Sequence, residues 1–209
     1  MKRRRLSSNF AAPVCRCVSR WFPIAILSRG VILTSKVTAR ISSFPPVIGH
    51  RPRVLILGSI PGVASLVAQE YYAMPRNAFW PIMGELFGAR FELAYQQRLD
   101  VLTASRVALW DVLGSCVRPG SLDSSIDTHS AAVNDFSQML TDHPTIQRIF
   151  FNGKKAAEMY RRYVLPLYDS ITVDIPCSTL PSTSPAHAAM SFGEKLSAWS
   201  IVCDAASQA

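Results

Sequence analysis

Val54-Leu55-Ile56-Leu57-Gly58-Ser59-Ile60-Pro61-Gly62 joins four consecutive apolar residues to a Gly/Pro turn, and the amphipathic stretch Val63–Glu70 follows at once. An apolar run without alternation reads as a strand buried on both faces, the kind found in parallel sheets covered by helices. The pattern recurs. Val107–Trp110, Ile149–Phe151 and Ile171–Ile175 are short apolar runs, and Ala78–Phe87, Ala131–Thr141, Lys154–Val164 and His187–Cys203 carry helical spacing. Strands alternating with helices predict an α/β fold, a three-layer αβα sandwich around a central, mostly parallel four-stranded sheet.

Sheets of this kind bind ligands beyond the carboxyl ends of their strands. Polar residues do follow the runs: Gly58-Ser59, Asp111, Asn152-Gly153, and the stretch from Leu180 to Ala186. Ser115 to Thr128 reads as a long irregular loop, and long loops in compact domains often carry function. No internal repeat is visible.

The chain has 209 residues, 49% of them hydrophobic and 17% charged, enough for one well-buried domain. Its net charge of +8 is unevenly spread: residues 1–53 hold 11 Lys/Arg and no acid, leaving 11 bases against 14 acids in the remainder. A nucleic-acid footprint in the domain must therefore be a local patch, with Arg76, Lys154, Lys155, Arg161 and Arg162 as candidates, or else these residues form a solvated face. Residues 1–43 are read as a basic extension: transit-like, a start codon set too early, or an arm that touches phosphates. Trp21–Val37 is apolar but broken by Arg29 and Lys36, so no membrane span is predicted. Five cysteines, at 15, 17, 116, 177 and 203, form no Cys-x-x-Cys pair and read as reduced thiols.

The turn from Ser59 through Ile60 to Gly62 opens a helix after a strand, so its amides can face an anion, although a structural turn uses the same residues. Ser59 as a hydrolase nucleophile lacks the Gly-x-Ser-x-Gly spacing, and only His187 among the histidines lies near a proposed loop; a serine triad is not indicated. Tyr71, Tyr72, Phe79 and Trp80 flank Arg76-Asn77, a grouping that suits an unstacked base, or ordinary core packing for Phe79 and Trp80. One of the two tyrosines is expected at the site. The Asn77 amide can position a water or cap the following helix. Asn152 can offer an acceptor and two donors to a base edge, or serve as a turn residue before Gly153. Ser182, Thr183 and Ser184 lie between two prolines and lead into His187, a stiff hydroxyl-bearing loop that can contact phosphates or cap a helix. Asp111 and Asp123 are acids near the same face but form no close carboxylate pair in sequence, and a two-carboxylate glycosidase is not indicated.

Taken in order, Leu-Ile-Leu-Gly-Ser-x-Pro-Gly62, Tyr-Tyr-Ala-x-Pro-Arg-Asn-x-Phe-Trp80, Leu-Trp-Asp-Val-Leu113, Gly120-Ser-Leu-Asp-Ser-Ser-Ile126, Phe150-Phe-Asn-Gly153 and Leu-Pro-Ser-Thr-Ser-Pro-Ala186 resemble the uracil-DNA glycosylase superfamily, its hypoxanthine (deoxyinosine) branch above all. The resemblance runs from about Phe44 to Ile201, so 44–209 is the expected domain. It implies a DNA glycosylase of base-excision repair acting on double-stranded DNA with a deaminated base, monomeric, cytoplasmic and nucleoid-associated, with organellar import open if the extension is real. Many superfamily members carry Asp or Asn in the first loop where this chain has Ser59. The hypoxanthine branch uses the asparagine that maps to Asn77.

The same resemblance implies that Asn152, Ser59 and Tyr71 or Tyr72 hold the base, and that Ser59, Ile60 and Gly62 amides face the leaving group. Arg76, Lys154, Ser182, Thr183, Ser184 and His187 are then expected at the DNA. Some related glycosylases hold an iron–sulfur cluster on four cysteines; the core here retains only Cys116, Cys177 and Cys203, so neither cluster nor any other metal or cofactor is expected. The alternatives are a mismatch-specific uracil or thymine glycosylase, a catalytically silent nucleic-acid binder, and a serine esterase.

Overall fold

The computed structural model describes residues 40–167 and 175–207, all within one compact unit, Val37–Ala209. Its strands are β1 (Arg40–Ser42), β2 (Val54–Gly58), β3 (Val107–Asp111), β4 (Leu113–Val117), β5 (Asp127–Val133), β6 (Arg148–Asn152) and β7 (Cys177–Leu180). Its α-helices are α1 (Val63–Ala68), α2 (Phe79–Phe87), α3 (Tyr95–Ala104), α4 (Phe136–Asp142), α5 (Lys154–Met159) and α6 (Phe192–Ser207).

The central sheet runs β3-β2-β6-β7, with every neighbouring pair parallel. All residues of β2 and β3 are buried, as unalternated apolar runs require. Side chains alternate between two cores. Leu55, Leu57, Trp110, Ile149 and Phe151 pack with Phe136 and Met139 of α4 and with Ala157 and Met159 of α5. Val54, Ile56, Leu109 and Phe150 face the other side, against Phe79, Trp80 and Ile82 of α2, Leu102 of α3 and Trp199 of α6. This is the expected three-layer sandwich. Burial of each Leu, Ile or Phe stabilises it by roughly 1.5–3 kcal/mol before chain entropy is counted.

A second sheet, β1-β4-β5, is antiparallel and takes the two ends of the stretch read as an irregular loop from Ser115 to Thr128, whose middle, 118–126, is loop with a short 3-10 turn at Asp123–Ser125. Its strands are half-exposed and rich in Ser, Ala and Gly, so no apolar alternation announces them. β1 lies before the Phe44 boundary drawn from the sequence. The helix read at Ala131–Thr141 is instead the end of β5 followed by α4, whose start is fixed where the Asp135 carboxylate accepts the Gln138 N–H at 3.0 Å. The last helix begins at Phe192, not His187. Ser191 and Glu194 form a reciprocal cap, Glu194 Oε2 accepting the Ser191 N–H at 2.7 Å and Ser191 Oγ the Glu194 N–H at 3.3 Å. α3 was not read from the sequence: its apolar stripe, Tyr95, Leu99 and Leu102, is short and shares its buried face with Arg98. Of the strand read at Ile171–Ile175, residues 171–174 lie outside the described residues, Ile175 is in a bend, and the edge strand is β7. After α5 the helix widens into a π-type turn over Tyr160–Val164. Among the described residues no helix is long and apolar enough to cross a membrane.

Candidate active site

A cavity of about 640 Å³ opens at the carboxyl ends of the central strands. The turn after β2 (Gly58–Gly62), Tyr72, Asn77, Asp111, Ser121–Ser124, Asn152 and the loop Ser182–His187 line it. Its size suits a nucleotide base with its sugar. The parallel sheet explains the convergence, since four strands that end at one edge deliver their following loops to one place.

Asn77 is half-buried and set by a tight turn in which its own N–H donates to the Met74 carbonyl at 2.8 Å. Its Oδ1 accepts the Phe79 N–H at 2.9 Å, tying the carboxamide to the first turn of α2. The amide is thus a capping group and a cavity group at once, and its second lone pair can still hold a water.

Asn152 ends β6, and its carboxamide is engaged at both ends by Thr183: Oδ1 accepts the Thr183 N–H at 2.9 Å and Nδ2 donates to Thr183 Oγ1 at 2.8 Å. One amide hydrogen and one lone pair remain for a ligand. The Thr183 carbonyl accepts the Ala78 N–H at 2.9 Å, so Asn152, the 182–187 loop and the start of α2 are linked in series. Thr183 is 1% exposed with these groups satisfied. That corrects its reading as a DNA contact: it is an internal brace, because a side chain without accessible surface cannot meet a phosphate. Ser182 and Ser184 remain half-buried on the same loop, Ser182 Oγ accepting the Ser184 N–H at 3.2 Å. The carbonyl of half-buried His187 accepts from Lys195 Nζ at 2.9 Å. Arg76 and Lys154 are exposed.

The two tyrosines part company. Tyr71 is 3% exposed, its ring set edge-on to Phe44, its hydroxyl donating toward the Phe44 and Pro45 carbonyls at 3.4 and 3.3 Å, and its carbonyl accepting from Trp80 Nε1 at 2.9 Å. It anchors the aromatic loop. Tyr72, held at a left-handed φ of 56°, stacks on Phe79 with ring centroids 3.9 Å apart, which leaves its other face for a planar ligand. Its hydroxyl is buried beside Asp111 and the Asn152 carboxamide.

Asp111 is 3% exposed, and Ser43 Oγ donates to its Oδ2 at 3.1 Å. Burial, with a smaller push from the Asp123 charge, raises its carboxyl to about 7, against the Ser43 hydrogen bond and Arg118. Gly58 is required beside it, since a β-carbon there would overlap Asp111 Oδ1 and stand 3.2 Å from the Tyr72 hydroxyl. Ser59, half-buried, donates through Oγ to Asp123 Oδ1 at 2.7 Å. Asp123 is also raised, mainly by burial, with Ser59, Arg118 and Lys155 opposing. Ser121 Oγ accepts the Val63 N–H at 2.9 Å, and the buried Arg118 donates to the Gly120 and Pro61 carbonyls, so the 120–124 loop is fastened over the turn containing Ile60 and Gly62.

Asp111 and Asp123, read from sequence as acids near the same face, share one cavity. The Arg118 strut and the Ser43 contact were missed because each crosses from one strand end to another. The ordered segment Gly120-Ser-Leu-Asp was the signal available for Asp123. Among the described residues no group of three or more His, Cys, Asp and Glu side chains could hold a metal ion.

A family model described as the Uracil DNA glycosylase superfamily matches residues 45–202. A protein named hypoxanthine DNA glycosylase from Methanosarcina barkeri is 38% identical over 116 residues, which is 55% of this chain and 72% of that one. A protein of the same name from Methanosarcina acetivorans is 40% identical over the same shares. A solution NMR structure from Methanosarcina acetivorans, of a candidate uracil DNA glycosylase, superposes with a TM-score of 0.67 at 34% identity, covering 81% of this chain and 100% of the other. With the parallel sheet and its end-on cavity, these matches establish that the chain belongs to the uracil DNA glycosylase superfamily.

Proposed function

We propose that this protein is a monofunctional DNA glycosylase of base-excision repair that hydrolyses the N-glycosidic bond of deoxyinosine in duplex DNA. The observation that carries the reading is the likeness to two hypoxanthine DNA glycosylases, joined to a cavity that places Asn77, Tyr72 and Asn152 around one space.

A flipped hypoxanthine stacks on the free face of Tyr72, and its edge meets the Tyr72 hydroxyl and the spare valences of Asn152. The lengthening C1′–N9 bond leaves positive charge on the sugar and negative charge on the purine. Asn77 orients a water toward C1′. Ser59, Ile60 and Gly62 border the reacting sugar and base, and Arg76, Lys154, Ser182, Ser184 and His187 approach the DNA strand. Among the described residues no lysine lines the cavity, so no Schiff-base nucleophile is assigned and the product is an abasic site with an unbroken strand. The protein acts as a monomer, cytoplasmic and nucleoid-associated, wherever the genomic DNA lies.

The likeness to a candidate uracil DNA glycosylase favours a second reading, excision of uracil. The deciding experiment incubates the protein, and its Asn77→Ala variant, with duplexes carrying one deoxyinosine or one deoxyuridine, followed by alkaline cleavage. Inosine-dependent cleavage lost in the variant supports the first reading, and preference for uracil supports the second. Binding without base release from either duplex refutes both.

A further inference from the structure

Asn77 can orient a water, but a neutral carboxamide cannot take its proton, and the hydrolysis proposed above must dispose of one. The cavity lining contains two carboxyl groups, Asp111 and Asp123. Asp111 lies deep, 3% exposed, bonded by Ser43 and wedged beside Gly58, and burial leaves it only partly ionised near neutral pH. Asp123 is placed otherwise. Its side chain is 43% exposed, its Oδ1 accepts from Ser59 at 2.7 Å, and Arg118 Nη1 stands 3.9 Å away. The donor and the cation favour its ionised form and work against the burial that raises it.

We infer, resting on the glycosylase reading, that Asp123 is a catalytic carboxylate: fixed by Ser59 and borne on the 120–124 loop, it faces the sugar and receives the proton of the attacking water. The C1′–N9 bond breaks with its electron pair passing to the purine. The water oxygen bonds to C1′, and the proton it sheds goes to the Asp123 oxygen not used by Ser59. The purine anion then takes a proton from solvent. Before water arrives, the same negative charge stabilises the cationic sugar. It also repels the departing anion, which assigns the base to the far end of the cavity, at Tyr72 and Asn152. The first loop after β2 therefore need carry no acid of its own, since Ser59 holds one that arrives from another strand. Ser59 is a positioning residue.

Single-turnover release of hypoxanthine from a deoxyinosine duplex, measured across pH, tests this. Asp123→Asn keeps an acceptor for Ser59, and so keeps the loop in place, but removes the charge and the base. Its rate should fall about 10²–10³-fold with duplex affinity and thermal stability retained, and the acid limb of the wild-type pH profile should vanish. Arg118, Lys155, Asp111, Tyr72 and Cys116 are the ionisable groups that interact with Asp123, and all remain in this variant. Ser59→Ala keeps the carboxylate and should lose only about tenfold, in line with one charge-assisted hydrogen bond. Added formate should partly restore Asp123→Ala, a rescue that a merely structural residue does not show. A rate for Asp123→Asn within about threefold of wild type overturns the assignment, because general-base loss is far larger. So does a loss confined to affinity or stability. Failure of the parent reading is distinct: the wild type itself would release neither hypoxanthine nor uracil.

Discussion

Asn152 grips Thr183 at both ends of its carboxamide, at 2.9 and 2.8 Å, and Thr183 in turn holds the N–H of Ala78, the residue beside Asn77. A side chain read from sequence as a base contact is therefore also the brace that sets the distance between two sides of the cavity. Thr183→Val keeps the shape but leaves the Asn152 Nδ2 donor unpaired. Urea unfolding should show a loss of about 1–3 kcal/mol. Base release should slow more than duplex binding weakens, because the register of Asn77 is disturbed while the outer surface is not.

Asn77 combines two duties that substitution can separate. Asn77→Ala removes the acceptor of the Phe79 N–H and should cost about 1 kcal/mol of stability together with base release. Asn77→Asp retains the acceptor at the start of α2, so thermal unfolding should leave it close to the wild type. An alanine variant with unaltered base release would remove Asn77 from the chemistry.

Asp111 links the site to pH. An unfolded aspartate ionises near pH 4, whereas burial holds this one at about 7 in the folded protein. Between those values the native state keeps a proton that the unfolded chain has released, so the Asp111 contribution to stability becomes less favourable as pH rises, and its cost is complete above about 7. Asp111→Asn should thus gain on the wild type between about pH 5 and pH 8, by up to about 1.4 kcal/mol for each pH unit between 5 and the folded value of about 7. Paired denaturant titrations at the two pH values measure this. A difference between the proteins that does not vary with pH would mean that Asp111 ionises normally.

Arg76 and Lys154 are exposed cations on the loop before α2 and at the start of α5. If each meets a phosphate, Arg76→Ala and Lys154→Ala should each reduce the slope of log K against log salt by about 0.9, with base release at saturating enzyme little altered. Fluorescence anisotropy with a duplex at several salt concentrations reads the slope.

What was legible in the sequence was what local chemistry encodes. Val54–Leu57, Val107–Trp110 and Ile149–Phe151 could be read as buried parallel strands because a run of apolar residues has few other places to go, and the cavity then had to lie beyond their carboxyl ends. The Ser191–Glu194 cap was equally legible, though the helix was begun four residues before it. The second sheet was not, since β4 and β5 are polar, half-exposed strands that persist through pairing with each other rather than through their own pattern.

Asn77 was marked as a site residue by the family resemblance of its Pro-Arg-Asn-x-Phe-Trp segment, its setting alone being equally that of a helix cap, and Asn152 by its place at a strand end together with the same resemblance. That Asp123 reaches Ser59 across 64 residues, that Asp111 sits under Tyr72 and Gly58, and that Thr183 faces inward were decided only in the folded molecule. Hydrogen bonds between loops of different strands leave no periodicity in a chain, and the burial that shifts a carboxyl group exists only once the sheet has brought its ends together.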